Sequence, residues 1–240
     1  NTVQWNESHR QLRVQAVPAV HATEASYEIQ FGTVRRPAHA NTSWDATQFE
    51  VAGQRFADYS QPDFGLAIVN DSKYGHHIRD GVMELTLLRS SKDPDPQADL
   101  GEHEFVYGYY PHSGGWEASD VLEQAHQLNS PPLVQPVRRA LEEPVSEFAI
   151  TGGTVKIETV NQAEDGNGLI LRLYETRGTS QNVVLASRRE IKRVQEIDLL
   201  EAPLRRVSGL RRSRASRFAS EVRLEFGPFQ IRSFRVVPVG

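Results

Sequence analysis

The 240-residue sequence contains no cysteine. This absence excludes disulfide bonds, thiolate metal sites and a cysteine nucleophile. The sequence also lacks any apolar run long enough to cross a membrane, so we expect no membrane partner. An excess of positive charge is absent too: the formal net charge is −4 and the isoelectric point is about 6.1. We therefore expect no nucleic-acid partner, because such proteins need a basic face that displaces counterions.

The common catalytic and nucleotide-binding motifs are likewise absent. There is no Gly-x-Ser-x-Gly, no Gly-x-Gly-x-x-Gly and no phosphate-binding P-loop. The serine-hydrolase elbow and the dinucleotide or nucleotide cradles therefore lack their sequence signatures.

Short segments with period-two hydrophobicity, separated by Gly, Pro, Asn and Asp, make up most of the chain. RQLRVQAV, SYEIQFGTV and VMELTLLRS belong to a first series, and VKIETVNQ, GLILRLYET and QIRSFRVVPV to a second. The EDGNG sequence at residues 164–168 is typical of a turn joining two strands. The pattern predicts an all-β protein whose second series forms a small β-sandwich.

One helix is predicted between the two series of strands. GWEASDVLEQAHQLNSPP places Val121, Leu122, Ala125 and Leu128 on one stripe, with Ser119 as N-cap, and the Pro-Pro pair ends it. The Pro-rich and charged stretch after it, LNSPPLVQPVRRALEEP, is the best linker candidate. We therefore predict two domains, 1–139 and 140–240.

Candidate metal and acid–base sites are not marked out by spacing. Four histidines, at positions 76, 77, 103 and 112, lie close in sequence to Glu102 and Glu104, but without the paired-ligand spacing of a zinc site. His76 and His77 are consecutive and would face opposite sides of a strand. Many pairs of loop carboxylates exist, and none is singled out as a glycosidase pair. We predict no metal and no catalytic residue in this chain.

A basic run near the C-terminus, LRRVSGLRRSRASRFASEVR, carries arginines at 205, 206, 211, 212, 214, 217 and 223. It lacks the interleaved aromatic residues that stack on bases. We interpret it as a solvated loop in a hairpin-like stretch.

The remaining chemistry lies in polar loops: RRPAHANTSWD, NDSKYGHHIRDG, LLRSSKDPDPQADLGEHEF and YYPHSGG. They combine Asn, Asp and Arg, which bind hydroxyl groups, with Trp and Tyr, which pack on sugar rings. Loops carried by a rigid scaffold are frequent functional sites. The residues alone lead to a carbohydrate-binding hypothesis.

The blocks YEIQFGTVRRPAHANTSWD, FEVAGQRFADYSQPDFGLAIVNDSKYGHHIRDGVMELTLLRS and VKIETVNQAEDGNGLILRLYETRG resemble the C-terminal β region of family 38 glycoside hydrolases, the α-mannosidases. The cytosolic or vacuolar branch, also found in bacteria, is the most similar. The resemblance implies part of a galactose-mutarotase-like super-sandwich followed by the small C-terminal β-sandwich. NTVQWNESHRQLRV resembles a strand from the middle of that super-sandwich, so residues 3–15 are expected to present an open sheet edge.

The family resemblance implies a retaining, zinc-dependent hydrolase of terminal α-mannosides. Its nucleophilic aspartate and its zinc ligands, which include a His-x-Asp pair, belong to an N-terminal catalytic domain. No His-x-Asp occurs in this sequence. We therefore expect no cofactor in this chain, zinc being bound by the catalytic domain, and no activity of the chain alone.

In the related enzymes, loops of this β region close one side of the mannose site. The resemblance therefore makes seven residues candidates for contacts with substrate or catalytic domain: Arg36, His39, Asn41, Asp71, Lys73, Tyr74 and Arg89. Arg89 corresponds to one arginine of an Arg-Arg pair in Golgi-type relatives, where this chain has Arg89-Ser90.

The leading hypothesis is a non-catalytic β region that shapes an α-mannoside or oligomannose pocket and packs on the catalytic domain. Formation of a homo-oligomer and a cytoplasmic location are further expectations. The alternatives are a protein–protein interface and a stand-alone carbohydrate-binding module, the latter favoured by an exposed platform of Trp44, Tyr74, Tyr109 or Trp116.

Overall fold

The computed structural model describes residues 1–137, 145–212 and 218–239. The chain divides into two compact units, residues 1–135 and residues 136–240, here called unit 1 and unit 2. The domain boundary expected near residue 140 lies outside the described residues. No helix among the described residues is long and apolar enough to span a membrane.

Unit 1 is built mainly of antiparallel strands. Their bounds are β1 Thr2–Trp5, β2 Gln11–Ala16, β3 Glu24–Ile29, β4 Gly32–Pro37, β5 Val51–Ala52, β6 Phe56–Ser60, β7 Phe64–Asn70, β8 Gly75–Arg79, β9 Val82–Arg89, β10 Gly101–Glu104 and β11 Tyr107–Ser113. In residues 1–135 they form sheets with the orders β11-β7-β6-β3-β4, β2-β9-β8-β5 and β1-β10. The predicted all-β class is confirmed.

Period-two alternation decides which side chains enter the core of unit 1. In β9, Met83, Leu85 and Leu87 are buried, whereas the residues between them are half-exposed. The long side chains of Tyr27 and Ile68 complete this core. β2 lies at the outer edge of its sheet, within the stretch for which an open edge is expected.

The helices of unit 1 differ in detail from the single predicted one. The predicted helix, α2, runs from Val121 to Asn129 and buries Val121 and Ala125. Its N-cap is Asp120 and not Ser119, whose hydroxyl instead accepts a hydrogen bond from the Val121 N–H at 3.2 Å. Two short elements were not predicted: α1, Ser43–Thr47, and a 3-10 turn, Trp116–Ala118.

Unit 2 is a two-sheet sandwich. Its strands are β12 Phe148–Thr151, β13 Val155–Gln162, β14 Leu169–Glu175, β15 Gln181–Ser187, β16 Ile191–Ile197, β17 Pro203–Arg206, β18 Arg211–Arg212, β19 Ser220–Phe226 and β20 Ile231–Pro238. Within the described residues, the sheet orders are β12-β15-β19-β18 and β13-β14-β20-β16-β17. The turn predicted at residues 164–168 joins β13 to β14. The small C-terminal sandwich is confirmed.

The basic run near the C-terminus is not a hairpin. β17 pairs with β16 in one sheet, and β18 pairs with β19 in the other. The chain therefore crosses between the two sheets at residues 207–210. Arg214 and Arg217 lie outside the described residues.

Candidate functional site

The loop RRPAHANTSWD is ordered by its own hydrogen bonds. β4 ends at Pro37, and the chain enters α1 through a capping box. In this box the Asp45 N–H donates to the Thr42 hydroxyl oxygen and the Thr42 N–H donates to the Asp45 carboxylate, both at 3.1 Å. His39 lies beside this cap, with its Nδ1 3.9 Å from an oxygen of Asp45. The loop is therefore a fixed wall with polar side chains on it.

A polar groove of about 980 Å³ runs beside this wall. It is lined by residues of the segments 17–24, 35–41, 58–62, 80–81 and 115–117. Arg35 crosses one side and forms an ion pair with Glu117, with Nη2 2.6 Å from Oε1. On the other side, the His21 N–H donates to the Gln61 side-chain oxygen at 2.8 Å. The volume lies within the range of clefts that bind small ligands, roughly 300–1,000 Å³.

A buried ion pair lies beneath the groove. Asp58 of β6 lines it, and one carboxylate oxygen is 2.6 Å from Nε2 of His112 in β11. The other oxygen accepts a hydrogen bond from the Ser60 hydroxyl at 2.6 Å. Both side chains are almost fully buried, at 1% and 3% exposure. Both carboxylate oxygens are thus occupied, which suits a positioning role for Asp58 and leaves it poorly placed as a nucleophile or proton donor.

Two opposing effects set the pKa of His112. Burial pushes the pKa down, but the hydrogen bond and negative charge of Asp58, helped by the backbone at Ser113 and Gly114, outweigh burial and raise it above the ordinary value. Space is reserved for the imidazole by Gly65. A Cβ at that position would lie 2.3 Å from Cε1 of His112.

The structure brings only two of the seven predicted site residues together at the groove. His39 and Asn41 both line it, and the Asn41 N–H approaches His39 Nδ1 at 3.4 Å. Arg36 turns away and stacks on the ring of Tyr27, with its guanidinium carbon 4.7 Å from the ring centre. Burial lowers the pKa of Arg36.

The remaining four predicted residues occupy other places on unit 1. Asp71 and Tyr74 line a separate pocket of about 140 Å³. The Lys73 ammonium lies over the ring of Phe105, 5.0 Å from its centre. Arg89 is exposed at the end of β9, and its N–H donates to the Asp99 carboxylate at 2.7 Å.

The four aromatic residues proposed as a sugar platform do not share one environment. Trp44 and Tyr74 are 79% and 61% exposed, and Tyr109 is 43% exposed. Trp116, at 4%, is buried against Phe56 with ring centres 5.7 Å apart. The prediction of an exposed Trp116 is therefore wrong, because the 3-10 turn directs its indole into the core.

The donor groups of the described residues do not assemble into a metal site. His76 is fully buried in β8 and His77 is half-exposed on the opposite face, as their adjacency predicts. No group of three or more His, Asp and Glu side chains within the described residues is arranged to hold an ion.

Sequence reasoning missed Asp58, His112 as its partner, and Arg35 with Glu117. A weak signal was present: in RFADYS a carboxylate occurs in an otherwise apolar and aromatic strand, where burial demands a partner. The partner lies 54 residues away.

With the groove defined, comparisons with known proteins become informative. Residues 1–97 match the description "Glycosyl hydrolases family 38 C-terminal domain". Residues 154–234 match "Glycosyl hydrolases family 38 C-terminal beta sandwich domain". The chain belongs to glycosyl hydrolase family 38. It is a C-terminal region of the α-mannosidase type, as the resemblance predicted.

Curated relatives agree over nearly the whole chain. The "Alpha-mannosidase 2C1" proteins of Homo sapiens and Mus musculus are 40% and 38% identical to it over 239 residues, which is 98% of this chain. "Alpha-mannosidase G" of Dictyostelium discoideum is 35% identical over 246 residues. The chain spans only about a fifth of these relatives, 22% of each.

Two solved structures share the fold. A crystal structure titled as an alpha-mannosidase from Enterococcus faecalis V583 superimposes with a TM-score of 0.76 at 20% identity, covering 98% of this chain and 26% of that one. A second, titled as a protein in the Glycosyl Hydrolase Family 38 from Enterococcus faecalis, gives 0.72 at 19% identity, covering 98% of this chain and 27% of that one.

Proposed function

We propose that this chain is the non-catalytic C-terminal β region of a retaining, zinc-dependent α-mannosidase, where it forms one wall of the mannoside pocket and packs on the catalytic domain. The observation that carries the proposal is the pair of matches to C-terminal regions of the family, over residues 1–97 and 154–234. The coverage of only about a fifth of the α-mannosidase relatives supports a division of labour, with reaction chemistry in the rest of the enzyme.

The polar groove is the proposed wall. Arg35, His39 and Asn41 supply charged and neutral hydrogen-bonding groups at its rim, the types that bind sugar hydroxyls. The Asp58–His112 pair holds β6 and β11 in register under the groove and acts as a positioning element.

Zinc, the metal of the family's reaction, does not fit the described residues of this chain. Their imidazoles and carboxylates are engaged singly or in pairs, such as His112 with Asp58, and no three converge. Zinc binding needs three or four converging ligands. We therefore assign the ion to the catalytic part of the enzyme and derive no step through it here.

The other candidates are assigned by their exposure. Asp71, Tyr74 and Arg89 are exposed on unit 1 away from the polar groove, and we propose them as contacts with the catalytic domain. Lys73 is half-buried over Phe105, so it holds its own loop, and Arg36 on Tyr27 holds the loop carrying His39.

A chimera tests the proposal. Residues 1–240 replace the matching C-terminal segment of the mouse Alpha-mannosidase 2C1, and turnover of an aryl α-mannoside is measured. The chimera is expected to be active. A His39→Ala/Asn41→Ala double change should raise KM at least about tenfold, because each substitution removes a hydrogen bond worth about 1 kcal/mol.

The matched control is Glu102→Ala, an exposed residue of β10 that does not line the groove. It should leave KM unchanged. Unaltered kinetics in the double variant would contradict the pocket-wall role. An inactive chimera beside an active parent enzyme would contradict the docking role.

A stand-alone carbohydrate-binding module is the second candidate, favoured by the high exposure of Trp44 and Tyr74. Titration of oligomannosides into the isolated chain separates the two functions. A pocket wall alone should bind only weakly, whereas a module should bind and should lose affinity on Trp44→Ala.

A further inference from the structure

Unit 2 has a charge opposite in sign to that of unit 1. It carries 18 of the 27 Lys and Arg residues and 13 of the 31 Asp and Glu residues, a formal charge of +5 against −9 for unit 1. Sixteen of those 18 basic residues are arginines. The proposed pocket wall uses none of them.

Part of this positive charge lies beside an incomplete sheet edge. β18 pairs only with Ser220 and Glu221 of β19. From Val222 to Phe226, β19 is hydrogen-bonded to β15 on one side and, within the described part of the chain, to no strand on the other. This leaves about 17 Å of unpaired strand edge, at roughly 3.4 Å per residue.

A groove of about 650 Å³ opens at this edge. Its apolar part comes from Val183 and Leu224, and its rim from arginines of β17, β19 and β20. Two of those arginines are already engaged: Arg232 lies between the rings of Phe226 and Phe234 and binds Glu196, which Arg205 also contacts.

Two rim arginines remain available. Arg206 and Arg223 are exposed and form no ion pair with another described residue. Arg223 alternates with the buried Val222 and Leu224, so its side chain leaves the outer face of the sheet beside the open edge.

Arginine at a strand edge commonly prevents self-association, and Pro203 on β17 has the same effect, since it lacks an N–H. Like charges on two copies of this edge would repel one another. The same charges attract a strand of opposite sign, so the surface discriminates against a second copy and in favour of an acidic partner.

We propose that the open edge of β19, Val222–Phe226, binds an extended acidic segment of a partner protein by strand addition, with Arg206 and Arg223 facing its carboxylates. Backbone hydrogen bonds to the edge supply affinity, and the two guanidinium groups supply selectivity. Apolar residues of the segment alternate with its acids and extend the row formed by Val222, Leu224 and Phe226.

The test uses the full chain and a fluorescein-labelled peptide of alternating glutamate and valine, followed by fluorescence anisotropy. Arg206→Glu and Arg223→Glu should each weaken binding about tenfold, since each replaces an attraction by a repulsion. Glu225→Gln should tighten binding, because this outward-facing carboxylate of β19 would repel the peptide.

The matched control is Arg188→Glu, an exposed arginine of unit 2 outside the groove, which should leave the affinity unchanged. A peptide with lysine in place of glutamate should not bind. A peptide with a central proline, which lacks an N–H and disrupts strand pairing, should lose most of its affinity.

Four results would overturn the proposal: no binding of the acidic peptide, equal binding of the proline peptide, an equal effect of Arg188→Glu, or binding replaced by self-association of the chain. Single-stranded DNA binding as tightly as the peptide, with the same dependence on Arg206 and Arg223, would overturn strand addition in favour of a general polyanion site.

Discussion

Units 1 and 2 each bury a carboxylate, but they neutralise it with different partners. Asp58 of unit 1 pairs with His112 at 2.6 Å, and Glu196 of unit 2 pairs with Arg232 through two contacts of 2.7 Å. A histidine loses its charge near neutral pH, whereas an arginine keeps it throughout the range in which the protein folds. The ion pair under the polar groove is therefore sensitive to pH, and the pair in the sandwich is permanent.

Composition makes the contrast general. All eight histidines lie in unit 1 and none in unit 2. The hydrogen bonds and charges of Arg232 and Arg205 lower the pKa of Glu196, although burial opposes them. The stability that Glu196 contributes is thus fully present above its unfolded pKa of about 4.3 and is lost only as pH falls through its lower folded pKa. Unit 2 should therefore be insensitive to pH between about 5 and 8.

The largest effect is expected from breaking the permanent pair. Arg232→Met leaves Glu196 buried beside only the exposed Arg205, and it should lower the unfolding free energy of unit 2 by about 3 kcal/mol. Hydrogen exchange of the amides in β14 and β20 of the full chain measures this loss. Arg205→Met is the control and should cost less than about 1 kcal/mol, because its side chain is 68% exposed. Equal losses in the two variants would contradict the assignment of Arg232 as the main partner.

The next effect concerns acid sensitivity of unit 1. His76 is fully buried, neither ring nitrogen has a hydrogen-bond partner among the described residues, and burial lowers its pKa to about 4. The unfolded chain, with a histidine pKa of about 6.5, binds more protons, so unit 1 should lose stability as pH falls from about 6.5 to 4.

His76→Leu should remove this acid-dependent loss, measured as hydrogen exchange of the amides in β8 and β9 at pH 7 and pH 5. His77→Leu, at the half-exposed neighbour, should retain it. Acid sensitivity unchanged in His76→Leu would show that other groups cause it.

The smallest effect lies on the alkaline side of neutrality. Because the folded pKa of His112 is raised, its contribution is fully present below the unfolded pKa of about 6.5 and is lost as pH rises through the folded pKa. Amides of β6 and β11 should therefore exchange faster as pH rises above 6.5, after correction for intrinsic rates, while those of β14 and β20 should not.

His112→Gln should abolish that difference between the units while retaining a hydrogen-bond donor for Asp58. A variant that keeps the alkaline slope would rule out the Asp58–His112 pair as its source.

The features predicted from sequence are those set by local pattern or by long blocks of similarity. Alternation in VMELTLLRS, the turn at residues 164–168 and the stripe of α2 depend on neighbours in the sequence, and the structure has all three. The family was evident from blocks such as NDSKYGHHIRDG, and the comparisons confirm it.

The candidate site was less predictable because it depends on distant pairings. Asp58 meets His112 across 54 residues, and Arg35 meets Glu117 across 82. The seven candidates carried over by resemblance lie on separate surfaces of unit 1, since resemblance transfers positions without saying which of them a partner domain brings together. The open edge of β19 arises because the chain crosses between sheets at residues 207–210, which strand periodicity does not encode.

Turnover of an aryl α-mannoside by the purified 240-residue chain, with zinc supplied, tests the division of labour most directly. The account predicts no hydrolysis above the buffer rate, with activity appearing only when the chain completes a larger α-mannosidase. Sustained hydrolysis by the isolated chain, lost on changing residues of its own polar groove, would contradict it.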